Sequence, residues 1–248
     1  MSTIRIIPRI DIKGEKMVKT IRLEGVKSLG DPIDFTKKYY NDGADEIILN
    51  DVVASLYNRN SLNHVIKNIA ANMFVPITVT GGIRSVNDVE EILKSGADKV
   101  GINTEACNNP KLINEVSKIF GSSCMVLQVD AKKISENEWE PYINGGRDRT
   151  YKNLIEWIKE CSSRGIGEIF LTSIDNEGTG KGFDVSLIEA VANNSDVPII
   201  ISGGMGCYED LDIINDINGI SGVALSNFLH LKQKNIKSIK DYLKEISQ

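Results

Sequence analysis

Short apolar runs rich in β-branched residues alternate along the chain with amphipathic segments of about ten residues. Eight such pairs occur, which is the pattern of repeated strand–helix units around a parallel sheet. The predicted strands are residues 5–11, 46–51, 76–80, 99–103, 125–130, 168–173, 198–202 and 222–226, and the predicted helices are 32–42, 60–72, 87–95, 109–119, 151–164, 184–193, 207–216 and 235–246. Asp31 and Asn109, each directly before a proline, are expected to cap two of these helices.

The second half of this pattern repeats the first. TVTGGI at residues 78–83 returns as IISGGM at 200–205, and DEIIL at 45–49 returns as GEIFL at 167–171, both 122 positions later. IDIK at 10–13 corresponds to VDAK at 129–132 with an offset of 119, which a short insertion afterwards explains. Self-similarity at a fixed offset indicates two similar units. The 248 residues match the length of one (β/α)8 barrel. We therefore predict a TIM barrel of two similar half-barrels, with residues 1–248 as a single domain.

Composition narrows the function. Hydrophobic residues at 41% and charged residues at 25% are usual for a soluble globular protein. The net charge of −5 argues against a nucleic-acid partner, because binding to a phosphate backbone needs clustered Lys and Arg. No segment reaches the roughly 18 apolar residues of a membrane span, and the N-terminus lacks the pattern of a signal peptide. We expect a cytoplasmic protein with no membrane contact.

The cysteines and histidines do not suggest a reactive site. Cys107, Cys124, Cys161 and Cys207 stand far apart without a C-x-x-C pair, which favours reduced, mostly buried thiols over a zinc site or disulfides. With only two histidines in the chain, a Ser-His-Asp hydrolase or a histidine-rich metal site is not expected. Any catalysis should therefore depend on carboxylates.

Two aspartates end equivalent strands of the predicted barrel. The carboxyl ends of the strands and the loops that follow them form the catalytic mouth of such a barrel, and Asp11 and Asp130 both lie there, on nearly opposite sides. Two carboxylates in different protonation states can donate one proton and accept another. We predict that this pair carries the chemistry; the other interpretation is that each aspartate caps its loop.

Two glycine pairs follow the third and seventh strands, where backbone N–H groups can approach a phosphate. A hydroxyl residue follows the next strand in each case and could add a donor. A tight turn would explain one glycine pair, but two copies at matching offsets favour a ligand with a phosphate at each end. The first cup is Gly81, Gly82 and Thr104, and the second cup is Gly203, Gly204 and Ser226.

Over essentially its whole length the sequence resembles the HisF family, the cyclase subunits of imidazole glycerol phosphate synthase. The matching motifs include IDIK at 10–13, DVVAS at 51–55, GGI at 81–83, INT at 102–104, VDAK at 129–132 and LTSID at 171–175. The resemblance implies a lyase of histidine biosynthesis in which ammonia from a partner glutaminase, held in a heterodimer, travels through the barrel. The ammonia would attack a bisphosphorylated ribulosyl aminoimidazole carboxamide intermediate, giving imidazole glycerol phosphate and aminoimidazole carboxamide ribotide.

The resemblance also assigns roles to individual positions. It makes Asp11 and Asp130 the acid–base pair and implies no metal and no organic cofactor. Besides the two cups, the positions expected to contact the substrate are Lys19, Asn50, Asn103, Thr172 and Glu177. The positions matching a charged ring around the ammonia entrance are Arg5, Glu46, Lys99 and Glu168, and Asp98 matches a contact with the glutaminase. The ring could also be purely structural, because two bases and two acids can satisfy one another.

Several residues near the mouth depart from the family pattern. Arg9 and Gln128 lie two residues before the aspartates and should face the barrel interior, where Arg9 needs a carboxylate such as Glu46, or a ligand, as its partner. Thr20 and Thr80 replace glycines. Asn50 replaces an apolar residue, and Glu177 stands where an aspartate is usual.

These departures leave two other functions open. One is a paralogue that uses ammonia to amidinate a sugar of a surface polysaccharide or flagellin. The other is a non-catalytic scaffold that only docks and activates a glutaminase. The presence of Asp11, Asp130 and both cups favours the cyclase.

Overall fold

Eight parallel strands close into a barrel. A computed structural model of the chain describes residues 4–54, 62–232 and 234–246. The strands are β1 (Arg5–Lys13), β2 (Lys16–Ile21), β3 (Glu24–Gly30), β4 (Ile47–Asp51), β5 (Ile77–Thr80), β6 (Lys99–Ile102), β7 (Met125–Ser135), β8 (Glu138–Ile143), β9 (Asp148–Arg149), β10 (Glu168–Ser173), β11 (Ile199–Ser202) and β12 (Ile220–Leu225). The barrel order is β1, β4, β5, β6, β7, β10, β11 and β12, and β12 pairs with β1 to close it. The prediction of a (β/α)8 barrel is confirmed.

Helices follow the barrel strands as the amphipathic pattern predicts. They are α1 (Pro32–Asn41), α2 (Asn63–Asn72), α3 (Val86–Lys94), α4 (Thr104–Asn108), α5 (Lys111–Phe120), α6 (Leu154–Arg164), α7 (Val185–Ala192), α8 (Asp210–Asn215), α9 (Asn227–His230) and α10 (Ile236–Ile246), with a 3-10 turn at Ser122–Cys124. Residues 60 and 61 of the second predicted helix and residue 55 of the DVVAS motif lie outside the described residues. None of the helices in the described ranges is long and apolar enough to cross a membrane.

The two predicted helix caps differ in outcome. The Asp31 carboxylate accepts the N–H of Ile33 at 2.7 Å and caps α1 as expected. The prediction for Asn109 is wrong: this residue ends the short helix α4, and Pro110 precedes α5 without a side-chain cap. The sequence pattern missed α4, so Asn109 was expected to begin the next helix although it ends this one.

Two antiparallel extensions stand at the mouth of the barrel, where the sequence predicted loops. The β2–β3 hairpin follows β1, and β8 and β9 fold back on the extended end of β7. The hairpin turn places Arg22 and Leu23 at positive φ, +51° and +61°. The ends of these strands are polar and exposed, so the pattern of hydrophobic positions did not predict them.

A small apolar layer fills the middle of the barrel, separate from the larger core between strands and helices. Its members point inward from alternate strand positions, as expected for a packed barrel interior. They are Ile7, Ile48, Val126, Phe170, Ile200 and Ala224. This layer separates polar residues at the mouth from polar residues at the opposite end of the barrel.

Candidate functional site

Asp11 is the last inward-facing residue of β1, and polar side chains surround its carboxylate. Its carboxylate is fully buried, and Oδ1 accepts hydrogen bonds from Asn50 Nδ2 at 2.7 Å and from Arg9 Nε at 2.9 Å. Asn50 is held in turn by the Thr80 hydroxyl, which donates to Asn50 Oδ1 at 2.8 Å. The other carboxylate oxygen, Oδ2, is buried with no hydrogen-bond partner among the described residues. Asp11 therefore has one oxygen fixed by hydrogen bonds and one open oxygen, meaning a buried oxygen that has no hydrogen-bond partner in the described part of the chain.

Asp130 occupies the equivalent place on β7, in a more neutral environment. Its Oδ2 accepts a hydrogen bond from Asn103 Nδ2 at 2.9 Å. Its Oδ1 is buried and has no partner among the described residues. Gln128 stands two residues earlier, where β1 has Arg9. The two predicted chemical residues are thus alike in burial and in having one open oxygen each, and they differ in the charge beside them.

These surroundings move the two pKa values in opposite directions. Burial opposes ionisation of Asp11, but the positive charges of Arg9 and Lys19 and the hydrogen bonds from Asn50 and Arg9 outweigh it and hold the pKa of Asp11 below its usual range. Burial raises the pKa of Asp130 to about 6, although the charge of Arg9 and the side-chain amides of Asn103 and Gln128 partly oppose the shift. Near neutral pH, Asp11 is therefore ionised, whereas Asp130 is the carboxyl that can hold a proton.

Arg9 and Lys19 form a buried chain of alternating charges with two carboxylates. Arg9 contacts Asp11, its Nη1 lies 3.9 Å from Glu177 Oε2, and Lys19 Nζ pairs with Glu177 Oε1. The expectation that Arg9 pairs with a carboxylate is confirmed, but the partner is Asp11 and not Glu46, which pairs with Arg5 at the other end of the barrel. Lys19 and Glu177, both assigned to the substrate by resemblance, are counterions of each other in this structure.

The first cup opens into a cavity of about 220 Å³ at the mouth. Besides Gly81, Gly82 and Thr104, its walls include Asp130, Asn50, Asn103, Arg9 and Gln128. Gly81 has a φ of +94°, and a Cβ there would lie 2.2 Å from the carbonyl oxygen of Asp51. A side chain at this position is therefore excluded, which keeps the backbone bare at the wall of the cavity.

The second cup is a much smaller pocket of about 20 Å³. Gly203, Gly204 and Ser226 line it together with Glu177. A Cβ on Gly204 would lie 2.0 Å from the Gly182 carbonyl oxygen, so this turn also requires glycine. The structure brings together the members of each predicted cup.

The hydroxyl groups of the candidate site are engaged to different degrees. Thr104 accepts the N–H of Asn144 at 3.0 Å, which ties the first cup to the turn between β8 and β9. The hydroxyls of Ser226 and Thr172 are buried without a hydrogen-bond partner among the described residues. Thr172 pairs in register with Asp130 and is fully buried. An unpartnered buried hydroxyl is costly, so the Ser226 hydroxyl is a donor available to a ligand.

Four charged residues meet at the end of the barrel opposite the mouth, as predicted. Arg5 pairs with both Glu46 and Glu168, and Lys99 contacts Glu46 Oε2 at 3.0 Å and Glu168 Oε2 at 2.8 Å. The four charges balance within a closed ring, which offsets their partial burial. Asp98, beside the ring, is exposed while its Oδ2 accepts the Ile77 N–H at 2.8 Å.

A buried histidine supports β1 from behind, which the sequence did not suggest. His230 Nε2 lies 2.9 Å from the Arg9 carbonyl oxygen, and Tyr39 Oη lies 2.6 Å from Nδ1. Burial lowers the pKa of His230 to about 4, so the ring is neutral near pH 7. A carbonyl can only accept, so Nε2 donates to it and Nδ1 accepts from Tyr39. The contact joins residues 191 and 221 positions apart, which no local pattern predicts.

Leu23 and Arg147 also line the large cavity and were not predicted. Leu23 sits at the tip of the β2–β3 hairpin, and its Cδ1 lies 2.6 Å from where a Cβ of Gly146 would be. Both residues belong to the segments whose strands the sequence pattern missed. The cavity is therefore enclosed in part by the two antiparallel extensions.

Comparison with known proteins shows where this architecture occurs. A family model described as "Histidine biosynthesis protein" matches residues 5–235. The chain is 46% identical to the imidazole glycerol phosphate synthase subunit HisF of Helicobacter hepaticus, over 97% of the chain and 95% of that protein. It is 48% identical to the protein of the same name from Legionella pneumophila, over 86% of the chain and 100% of that protein. For the HisF of Natranaerobius thermophilus the identity is 41%, over 97% and 96%.

Proposed function

The chain belongs to the HisF family, the cyclase subunits of imidazole glycerol phosphate synthase in histidine biosynthesis, and we propose how its own residues perform the ring closure. It is an enzyme of the lyase type and a subunit of a synthase complex. The reaction joins ammonia to the ribulosyl aminoimidazole carboxamide intermediate and releases imidazole glycerol phosphate and the carboxamide ribotide. The residue assignments below are our proposal.

Asp11 is the base of this reaction and Asp130 is the acid. A nitrogen nucleophile must lose a proton after it attacks, and an oxygen that leaves as water must gain one, so the reaction needs one group of each kind. The observation that carries the assignment is the opposite shift of the two pKa values at equivalent strand ends. Asp11 Oδ2 and Asp130 Oδ1, the open oxygens, are the atoms that exchange protons.

The two cups bind the two phosphates of the substrate. Both are made from bare backbone at positive-φ glycines, which lets N–H groups approach an anion. Asn50, Asn103 and Thr172 stand beside the aspartates and orient the substrate between the cups. The ion pair of Lys19 and Glu177 holds the β2–β3 hairpin over the mouth. When the substrate replaces Glu177 as its partner, Lys19 contacts the substrate.

The charged ring of Arg5, Glu46, Lys99 and Glu168 is the entrance for ammonia. It closes the barrel at the end opposite the site, directly below the apolar layer. A glutaminase subunit binds this end to form a heterodimer and contacts the exposed Asp98 carboxylate. No metal or organic cofactor takes part in the proposed steps.

The comparisons do not support the sugar-amidination alternative. The three relatives described above carry the HisF name, and none is named for a sugar-modifying activity. The scaffold alternative would leave unexplained why the pKa values of two buried carboxylates are shifted in opposite directions and why each has one open oxygen.

The decisive test supplies the purified chain with the ribulosyl intermediate and an ammonium salt, and follows loss of the intermediate. We expect turnover by the parent, and a loss of about 10²- to 10⁴-fold in Asp11→Asn and in Asp130→Asn. Asp241→Asn, on the exposed face of α10, is the matched control and should keep the parent rate. Absence of turnover by the folded parent would contradict the cyclase function, and near-normal rates in either active-site variant would contradict the acid–base pair.

A further inference from the structure

Arg9 is the largest fully buried charged side chain at the mouth. Its exposed fraction is 1%, and its equivalent in the second half, Gln128, fills the same place without a charge. Burying a guanidinium costs several kcal/mol unless its partners compensate. The partners of Arg9 therefore indicate what the charge does.

The contacts of Arg9 are directed at one carboxylate. Nε donates to Asp11 Oδ1 at 2.9 Å, while Nη1 makes no hydrogen bond among the described residues and lies 3.9 Å from Glu177 Oε2. The guanidinium carbon lies 5.7 Å from the centre of the Phe170 ring, a distance at which the ring face attracts a cation. The guanidinium is therefore held by the Phe170 ring and by the Asp11 carboxylate.

We propose, on the basis of the function proposed above, that Arg9 is a positioning residue for the ring closure: it holds Asp11 Oδ1 so that Oδ2 stays open, and it sets the pH range in which Asp11 accepts a proton. Arg9 also lines the cavity at the mouth, but the role proposed for it is exerted through Asp11. Gln128 also lowers the pKa of Asp130, but it carries no charge and does not outweigh burial there, which explains why two equivalent aspartates take opposite roles.

Several charged or titratable groups lie near Asp11 on the elements packed around it. They are Arg9 on β1, Lys19 on β2, Asp130 on β7, Glu177 after β10 and His230 on α9. Lys19 also lowers the pKa of Asp11, but its ammonium group pairs directly with Glu177. His230 is neutral near pH 7. Arg9 is the cation in direct hydrogen-bond contact with Asp11.

The consequence for pH dependence has a definite sign. Without Arg9, burial would dominate and the pKa of Asp11 would rise, so the base would be protonated over a wider range of acidic pH. Arg9 also lowers the pKa of Asp130, so the alkaline limit should rise as well when Arg9 is removed. The rate profile as a whole should therefore move to higher pH.

The test is the pH profile of kcat/KM for Arg9→Met, measured with the ribulosyl intermediate at a fixed concentration of unprotonated ammonia. We expect the acid limb to move up by about one pH unit or more relative to the parent. Arg9→Lys keeps a charge but loses the planar donor, so its acid limb should lie between the two. Arg164→Met, which breaks the ion pair with Glu160 on the surface of α6, is the matched control and should leave the profile in place.

The outcomes separate this inference from the function on which it rests. A uniform loss of rate in Arg9→Met with an unmoved acid limb would show that Arg9 only supports packing. If Arg9→Met does not fold, an acid limb in Arg9→Lys identical to the parent's would overturn the inference, and an upward shift would support it. Full activity of Asp11→Asn would instead refute the proposed base, whatever Arg9 does.

Discussion

Each half-barrel places an aspartate at the same point of an equivalent strand, but the side chains around the two aspartates differ. Asp11 pairs in register with Asn50, and Asp130 pairs in register with Thr172. Asn50 donates a hydrogen bond to Asp11, whereas the Thr172 hydroxyl makes none with Asp130. Burial is the same, so the difference in pKa comes from the neighbouring side chains.

The phosphate cups show the same contrast. The first cup opens into a cavity of about 220 Å³, while the second lines a pocket of about 20 Å³. The repeated backbone supplies glycine turns in both halves, and the side chains and extensions around them make the two ends of the mouth unequal. Duplication thus fixes where functional groups stand, and local substitution determines what each one does.

The largest effect is expected when the second half-barrel receives a positive charge at the position equivalent to Arg9. Gln128→Arg places a guanidinium two residues before Asp130, which should lower the pKa of that carboxyl and remove the proton donor near neutral pH. We predict a loss of turnover of about 10²-fold or more at pH 7. Gln128→Met, of similar length and neutral, separates charge from crowding. Equal rates in Gln128→Arg and Gln128→Met would contradict the claim that the charge at this position controls the protonation of Asp130.

The next effect concerns the stability of the first half. Asp11→Asn leaves the Arg9 guanidinium buried without its carboxylate, which should lower the free energy of unfolding by about 3 to 5 kcal/mol. Urea denaturation at pH 7 measures this difference. The double variant Asp11→Asn with Arg9→Met removes the orphaned charge and should recover much of the loss. A loss below about 1 kcal/mol in the single variant would show that the pair is not strongly coupled.

The equivalent substitution in the second half, Asp130→Asn, should raise the free energy of unfolding near pH 8 rather than lower it. Because the folded pKa of Asp130 is raised from 3.8 to about 6, folding opposes its ionisation, so stability is full below the unfolded pKa and is lost as pH rises through about 6. Asp130→Asn removes this penalty and should stabilise the protein by up to about 3 kcal/mol at pH 8, from 1.4 kcal/mol per pKa unit. The gain over the parent should vanish near pH 4. Destabilisation at pH 8 would contradict the raised pKa.

The smallest effect separates the two cups. Thr104→Ala and Ser226→Ala should each weaken substrate binding by about 1 kcal/mol, seen as a several-fold increase in KM. Only Thr104 also holds the turn between β8 and β9, through Asn144, so Thr104→Ala alone should lower the free energy of unfolding, by about 1 kcal/mol. Equal stability of the two variants would argue that this bond is unimportant.

Much of this arrangement could be predicted from the sequence, because it follows from local pattern and repetition. The strand ends place Asp11, Asp130 and both cups, and Glu168–Ser173 matches the predicted sixth strand at both ends. A carboxylate partner for Arg9 was predicted, but the sequence could not identify it as Asp11 rather than Glu46, because only the three-dimensional arrangement decides which carboxylate lies beside Arg9. The support of β1 by His230 depends on a contact across the whole chain and has no local signal.

The most direct test is a pH titration of the aspartate carboxyl groups by carbon-13 NMR, with Asp11→Asn and Asp130→Asn to assign the two resonances. The account predicts that the Asp130 resonance titrates near pH 6 and that the Asp11 resonance titrates below the ordinary range of an aspartate. Equal midpoints for the two carboxyls, or the higher midpoint at Asp11, would contradict the claim that the two halves of the barrel supply one acid and one base.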